Sequence, residues 1–280
     1  MTLGEKIKKA RKAKRITQTE LAKNKITRNM ISRIESDNAT PSLDTIKYIA
    51  SELKIPVSYF LSEEDDLFFY EKAEKIRTIY RAFKTKEYEY CINKINELSA
   101  IDNELALILT TSYFELGKEN LMRGSLSSAK KCFENAKSFS EKTLFDTAHI
   151  CKTLPLYTAI AENIQAPLLE FDASDYENGL ADVFDYELYK YVTQDFSHKY
   201  KNTLMQKHAE AKRLIKDRNY QEAIAVMREA ESIAKTESYN AFIVFSLYSD
   251  LESCYKQLYD FENAYRYSSK RISMIEGFKS

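Results

Sequence analysis

The sequence predicts an all-α protein, a five-helix head followed by a stack of helical hairpins, and three observations predict it. Gly (5) and Pro (4) make up only 9 of 280 residues, against an average near 12%, which disfavours turn-rich β folds and Gly-loop α/β enzymes. Apolar residues recur at helical spacing behind Ser and Thr caps. From residue 72 onward a small residue beside an aromatic returns at intervals of roughly forty residues, the mark of stacked two-helix units.

In the head, Ile7 and Ala10, with Ile16 beyond them, punctuate a cationic first helix. Thr17-Gln18-Thr19-Glu20 is a capping box that opens a second helix carrying Leu21 and Ala22. A third helix starts at Thr27 and carries Met30, Ile31 and Ile34, leaving Arg28, Asn29, Ser32 and Arg33 for the other face. After Ser36-Asp-Asn-Ala-Thr-Pro41, Ser42 caps a fourth helix with Leu43, Ile46, Ile49, Ala50 and Leu53 inward. Pro56 precedes a short fifth helix that ends near Leu61.

Charge separates the same two parts. Residues 1–60 hold 13 Lys and Arg against 6 Asp and Glu, a net +7, and the rest of the chain carries −7. A small basic unit joined to a larger acidic one suggests that only the first meets a polyanion. The run Lys6, Lys8, Lys9, Lys12, Lys14 is expected to supply diffuse phosphate attraction. Four scattered cysteines (Cys91, Cys132, Cys151, Cys254) lack metal-ligand spacing and read as reduced, buried apolar residues. No nucleophile elbow, P-loop or zinc helix is present, so neither an enzyme nor a cofactor is expected. The longest apolar runs are too short to span a bilayer and the N-terminus lacks an apolar export signal, so a cytoplasmic protein is expected.

Residues 4–61 closely resemble the phage-repressor type of helix-turn-helix domain. The resemblance rests on Gly4, Ile7, Arg11, Thr17-Gln18, Leu21-Ala22, Thr27, Ile31-Ser32, Ile34-Glu35, Pro41-Ser42-Leu43 and Leu53. It implies that the third helix lies in the major groove of DNA, with Arg28, Asn29 and Arg33 at base-reading positions. Gln18 matches the position that anchors to phosphate and touches bases. Thr27 matches a cap that also donates to phosphate, and Ser32 shares its face. Arg11 and Glu35 match an ion pair of the scaffold. Arg to guanine and Asn to adenine are the bidentate pairs that groove geometry favours. One departure is the missing Gly between helices two and three, where Asn24 or Lys25 is expected to take the left-handed turn.

Residues 62–71 read as an acidic, helical linker, with Ser62 and Asp65 as a capping signature, and residues 72–280 as the repeat domain. There the signature occurs as Tyr88…Cys91-Ile92, Leu126…Ala129-Lys130, Tyr176…Gly179-Leu180, Tyr220…Ala223-Ile224 and Phe261…Ala264-Tyr265. The copy running from Tyr113-Phe-Glu-Leu116-Gly117 through Leu126, Ala129, Phe133 and Ala136 resembles the tetratricopeptide consensus. Five such degenerate hairpins are expected to curl into a right-handed superhelix with a concave groove. The third copy is irregular. Pro167 falls inside its expected first helix, and Leu144 to Asn163 offer an alternative helix.

A repressor-type reader followed by five tetratricopeptide-like hairpins resembles the peptide-pheromone receptors of Gram-positive bacteria, the PlcR- and Rgg-like (RRNPP) transcription regulators. The resemblance implies a homodimer on an inverted-repeat operator in double-stranded DNA, switched by a short signalling peptide bound in the repeat groove. Aligning the copies points Arg77, Tyr80, Lys118, Lys212, Asp250 and Ser253 into that groove, with Asn163 near the end of the central helix. Family receptors often carry Asn at a groove position where this chain has Arg77, Glu115, Ala209 and Asp250. The cations Arg77, Lys118 and Lys212 favour a peptide with a carboxylate. Two other readings share the architecture: a protein-interaction adaptor, and a regulator of phage or mobile elements.

Overall fold

The computed structural model describes residues 1–23, 25–62, 67–163, 182–236 and 239–278, and every regular element among them is a helix. The chain divides into two compact units, Met1–Ile101 and Asp102–Ser280.

The first unit opens with α1 (Leu3–Ala13), α2 (Gln18–Ala22), α3 (Arg28–Glu35), α4 (Leu43–Leu53) and α5 (Val57–Leu61). Local chemistry starts each of the first four. Thr2 and Thr17 form capping boxes with Glu5 and Glu20, and the Thr27 and Ser42 hydroxyls accept from the Met30 and Thr45 N–H groups. Each such cap contributes on the order of 1 kcal/mol by satisfying a helix-end donor. Their apolar faces meet in one core that includes Ile7, Leu21, Ile31, Ile34, Ile49 and Leu53. Two expected core residues lie outside it: Leu43 is 52% and Met30 42% exposed. Leu43 heads α4 before the stripe Ile46, Ile49, Ala50, Leu53 begins. Met30 sits one helical step, about 100°, off the Ile31–Ile34 row.

Gly4 sets how closely α1 approaches α3. A Cβ there would lie 2.1 Å from the Ile34 carbonyl oxygen. In the turn after α2, Asn24 of the expected left-handed position lies outside the described residues, and Lys23 before it takes a positive φ (45°). The Lys23 ammonium pairs with Glu52 on α4.

Helices α6 (Leu67–Lys84) and α7 (Tyr88–Asn96) complete the first unit as a hairpin, and Leu67 and Tyr70 pack against the head core. Ser62 is extended (φ −90°, ψ 163°), so α5 ends there. The acidic residues 63–66, including Asp65 of the expected cap, lie outside the described residues.

The second unit contains α8 (Asn103–Arg123), α9 (Leu126–Ser140), α10 (Ala148–Glu162), α11 (Val183–Val192), α12 (Thr203–Lys216), α13 (Tyr220–Thr236), α14 (Ala241–Gln257) and α15 (Phe261–Phe278). The pairs α8–α9, α12–α13 and α14–α15 pack as hairpins, and α10 packs on both α8 and α9. The small residues of the signature are buried on the second helix of their pairs: Cys91 on α7, Ala129 on α9, Ala223 on α13 and Ala264 on α15. Gly179 and Pro167 lie outside the described residues, and α10 occupies most of the alternative stretch from Leu144 to Asn163. No described helix is long and apolar enough to cross a membrane. Cys91, Cys132 and Cys254 are buried free thiols, and burial pushes Cys91 up to about 11 and Cys254 to about 12. Cys151, expected to be buried, is exposed on α10, two positions before the inward Thr153 and Leu154.

Gly117 allows α8 to close on α9. A Cβ at this position would stand 2.5 Å from the Phe133 ring and 3.2 Å from the Cys132 Cβ. Phe133 is buried against Phe114 and Tyr157 and cannot swing away. Gly117→Ala is therefore expected to destabilise the second unit by about 1–3 kcal/mol, despite alanine's better helix propensity. Urea unfolding followed by circular dichroism checks this, and a neutral or stabilising substitution would contradict the close approach.

Candidate nucleic-acid interface and ligand groove

Helix α3 is anchored from behind and bare in front. Glu35, 5% exposed, takes the Arg11 guanidinium in a fork, Nε to Oε1 at 2.6 Å and Nη2 to Oε2 at 2.9 Å, while Arg11 Nη1 donates to the Ile16 carbonyl at 2.8 Å. Burial opposes the Glu35 charge, but hydrogen bonds from Arg11 and Gln18 hold its carboxyl below the usual range, and the pair stays ionised. Gln18 Nε2 donates to Glu35 Oε2 at 2.9 Å. One of its two amide hydrogens is thus committed to the scaffold, which orients the residue and leaves the other hydrogen to a partner.

On the opposite face Arg28, Asn29, Ser32 and Arg33 are all exposed. Arg28, Asn29 and Ser32 have no side-chain hydrogen bond or ion pair among the described residues, and Arg33 makes only a long contact to the Asn38 carbonyl at 3.4 Å. Positions 28, 29, 32 and 33 follow the i, i+4 rule, so they form one outward strip. Thr27 is also exposed. Its oxygen accepts from the Met30 N–H at 3.2 Å, so its hydroxyl hydrogen remains to donate. Lys8, Lys9, Lys12 and Lys14 are exposed around α1. Lys6 is not and must be taken out of the phosphate-attracting set. It is fully buried, and its Nζ donates to the carbonyls of Tyr59 (3.1 Å) and Ser62 (2.9 Å) at the end of α5.

The expected groove residues are divided between the two units. Arg77 and Tyr80 lie exposed on α6 in the first unit. In the second unit Ser253 is exposed on α14, and Asn163 is the exposed end of α10, its Nδ2 donating back to the Ala159 carbonyl at 3.4 Å. Lys118 and Lys212, expected as open cations, are neutralised from within. Lys118 Nζ is 3.1 Å from Asp185 Oδ1 and lies over the Phe114 and Tyr157 rings. Tyr157, completely buried, donates to the same Asp185 oxygen at 2.5 Å. Lys212 Nζ is 2.6 Å from Asp250 Oδ2.

Asp250 belongs to a second network that the sequence left unmarked. His208, 0% exposed, has Nε2 2.9 Å from Asp250 Oδ2 and Nδ1 2.5 Å from the Tyr191 hydroxyl. Burial lowers the His208 pKa, so the ring is neutral. Against burial, hydrogen bonds from His208 and Lys212 and the charge of Lys212 hold the Asp250 carboxyl below its ordinary value. An ionised Asp250 only accepts, so Nε2 carries the proton and Nδ1 accepts from Tyr191, whose own proton burial retains. Helix α11 thus reaches α8 and α10 through Asp185, and α12 and α14 through Tyr191 and His208. Both titrating groups are depressed below their ordinary values of 6.5 and 3.8. Their stabilisation is complete above roughly pH 6.5 and is lost as pH falls, first through His208 and then, below about pH 4, through Asp250. The melting temperature should drop between about pH 7 and about pH 5, and His208→Gln should flatten that drop. An equal slope in both proteins would contradict the assignment.

Comparison with known proteins supports the reading of the head. Residues 7–60 match the helix-turn-helix family model, and the first unit begins with a repressor-type helix-turn-helix domain. The immunity repressor protein of Bacillus phage phi105 is 42% identical over 65 residues, 23% of this chain. The chain spans 45% of that relative's length. A crystal structure of Bacillus thuringiensis PlcR in complex with the peptide PapR7 and DNA covers 98% of this chain and 95% of its own at 22% identity, with a TM-score of 0.23. A superposition that loose carries no argument about function.

Proposed function

We propose that the chain is a transcription regulator that reads operator DNA with α3 as a homodimer and is switched by a short peptide held by its helical hairpins. The observation that carries the DNA reading is the pair Arg28 and Asn29, exposed and unengaged on a helix whose other face is fixed by Ile31, Ile34 and the Arg11–Glu35 fork. The net +7 of residues 1–60 and the likeness to a phage repressor support it. The stacked hairpins and the family resemblance of the sequence support the peptide reading. For dimerisation, Phe261, Tyr265 and Ile272 form an exposed apolar row on α15, the kind of patch that marks an interaction surface.

The peptide has a narrower choice of contacts than the sequence suggested, because Lys118 and Lys212 already hold carboxylates. A peptide carboxylate would exchange with Asp185 or Asp250 rather than meet an open charge. Two heads on a dimer require an inverted repeat with half-sites about 34 Å apart or a multiple of that. Footprinting of the full chain on selected DNA, with and without synthetic peptides encoded beside the gene, tests both parts. A two-half-site footprint altered by one peptide is expected. A footprint that no such peptide alters removes the switch and leaves a plain repressor, and the absence of any footprint favours an adaptor.

A further inference from the structure

At its C-terminal end α3 turns back through Ser36, Asp37 and Asn38. Asp37 stands there at a positive φ of 57°, a conformation that glycine adopts more freely, and its side chain is engaged. Its Oδ2 accepts from the Thr2 hydroxyl at 2.6 Å and its Oδ1 from the Gly4 N–H at 3.2 Å. Thr2 caps α1 and Gly4 lies in its first turn, where the helix dipole favours a carboxylate. Gly4 makes the room: a Cβ on it would stand 2.7 Å from Asp37 Oδ1 as well as against the Ile34 carbonyl. The Asp37 N–H donates to that same Ile34 carbonyl at 3.0 Å.

These contacts give α3 a second tie to α1. The first is the Arg11–Glu35 fork, which meets α1 toward its C-terminal end, whereas Asp37 meets it at the start. From Gly4 to Arg11 is roughly 10 Å along the helix axis. One tie is a pivot about which α3 can swing, and two ties that far apart fix its direction. Arg28 lies about as far again from Glu35 along α3, so a swing of about 6° displaces it by about 1 Å. That carries a hydrogen bond of about 2.9 Å out of range. The same turn steadies Arg33: the Asn38 N–H donates to the Arg33 carbonyl at 2.8 Å, and the Asn38 carbonyl accepts from Arg33 Nη2 at 3.4 Å. We infer that Asp37 is a positioning residue for base reading, a latch from the end of α3 to the start of α1 that sets the direction of the strip carrying Arg28, Asn29 and Arg33. This rests on the reading of α3 as the helix that meets DNA.

Titration of the full chain with a selected operator and with random DNA, at one salt concentration, tests this in Asp37→Gly. Glycine suits the positive φ and Asp37 is exposed, so the variant is expected to fold, and its melting curve verifies it. The ratio of operator to random affinity is expected to fall at least fivefold. Asp37→Asn keeps one acceptor for Thr2 or Gly4 and tolerates the left-handed turn, so it should recover part of that ratio. Asp44→Asn, which removes the same charge from an exposed acid on α4, should raise both affinities and leave the ratio alone. An Asp37→Gly variant that shifts both affinities equally, as Asp44→Asn does, overturns the positioning role and reduces Asp37 to a charge. Should Asp37→Gly melt early, Asp37→Asn carries the test below its own transition, and a ratio equal to that of the wild type overturns the role. A wild type that shows no operator preference overturns the DNA reading and this role with it, an outcome distinct from a wild type and an Asp37→Gly variant that discriminate equally well.

Discussion

Asp185→Ala should cost the second unit about 3 kcal/mol, the low end of what breaking a buried ion pair costs. The carboxylate is 5% exposed and answers two groups, the Lys118 ammonium and the Tyr157 hydroxyl. Removing it leaves a cation at 15% side-chain exposure whose remaining acid, Glu115, stands 3.8 Å away. It also leaves a phenol with no acceptor at the centre of the Phe114–Phe133–Tyr157 cluster. Asp185→Asn keeps an acceptor for Tyr157 and should recover part of the loss. Because the chain has two compact units, the measurement is the shift of the second unit's transition in urea, not a single midpoint. A shift equivalent to less than about 1 kcal/mol would mean that Lys118 is satisfied without Asp185.

Glu35→Ala should have a comparable effect on the head, again about 3 kcal/mol, with a functional consequence as well. Three side-chain hydrogen bonds end on this carboxylate, two from Arg11 and one from Gln18. Its loss strands a guanidinium at 12% exposure between α1 and α3 and frees Gln18 to rotate. DNA affinity should fall further than the stability loss alone requires, because α3 loses the tie that sets its orientation. The paired change Arg11→Met with Glu35→Leu should restore most of the stability, since a buried ion pair and an apolar replacement are often close in free energy. Denaturant melts and DNA titrations of the wild type and both variants separate the two contributions.

Much of the head was legible because its determinants are local. Thr17, Thr27 and Ser42 cap within three residues of themselves, and the rows Ile31–Ile34 and Ile46–Ile49–Leu53 declare their inward faces by spacing alone. The buried Lys6 was not read from the cationic run that contains it. Its signal was the spacing: Leu3, Lys6, Ile7 and Ala10 share one side of α1, so the lysine falls on the core face and must find carbonyls there. The second unit was legible as hairpins, since small residues under aromatics reveal close helix approach, and Gly117 against Phe133 is that logic in atomic form. Its polar interior was not. Lys118 with Asp185, and His208 with Tyr191 and Asp250, join residues far apart in sequence with no fixed spacing, so the cations looked open until the fold closed on them.

The measurement that tests the central claim most directly compares wild type and Arg28→Ala on a selected operator and on random DNA, at one fixed salt concentration. If α3 reads bases, Arg28→Ala loses about 1–3 kcal/mol on the operator, relaxes preference at one base pair, and changes little on random sequence. Equal losses on both DNAs would contradict base reading by α3 and reduce Arg28 to a phosphate contact.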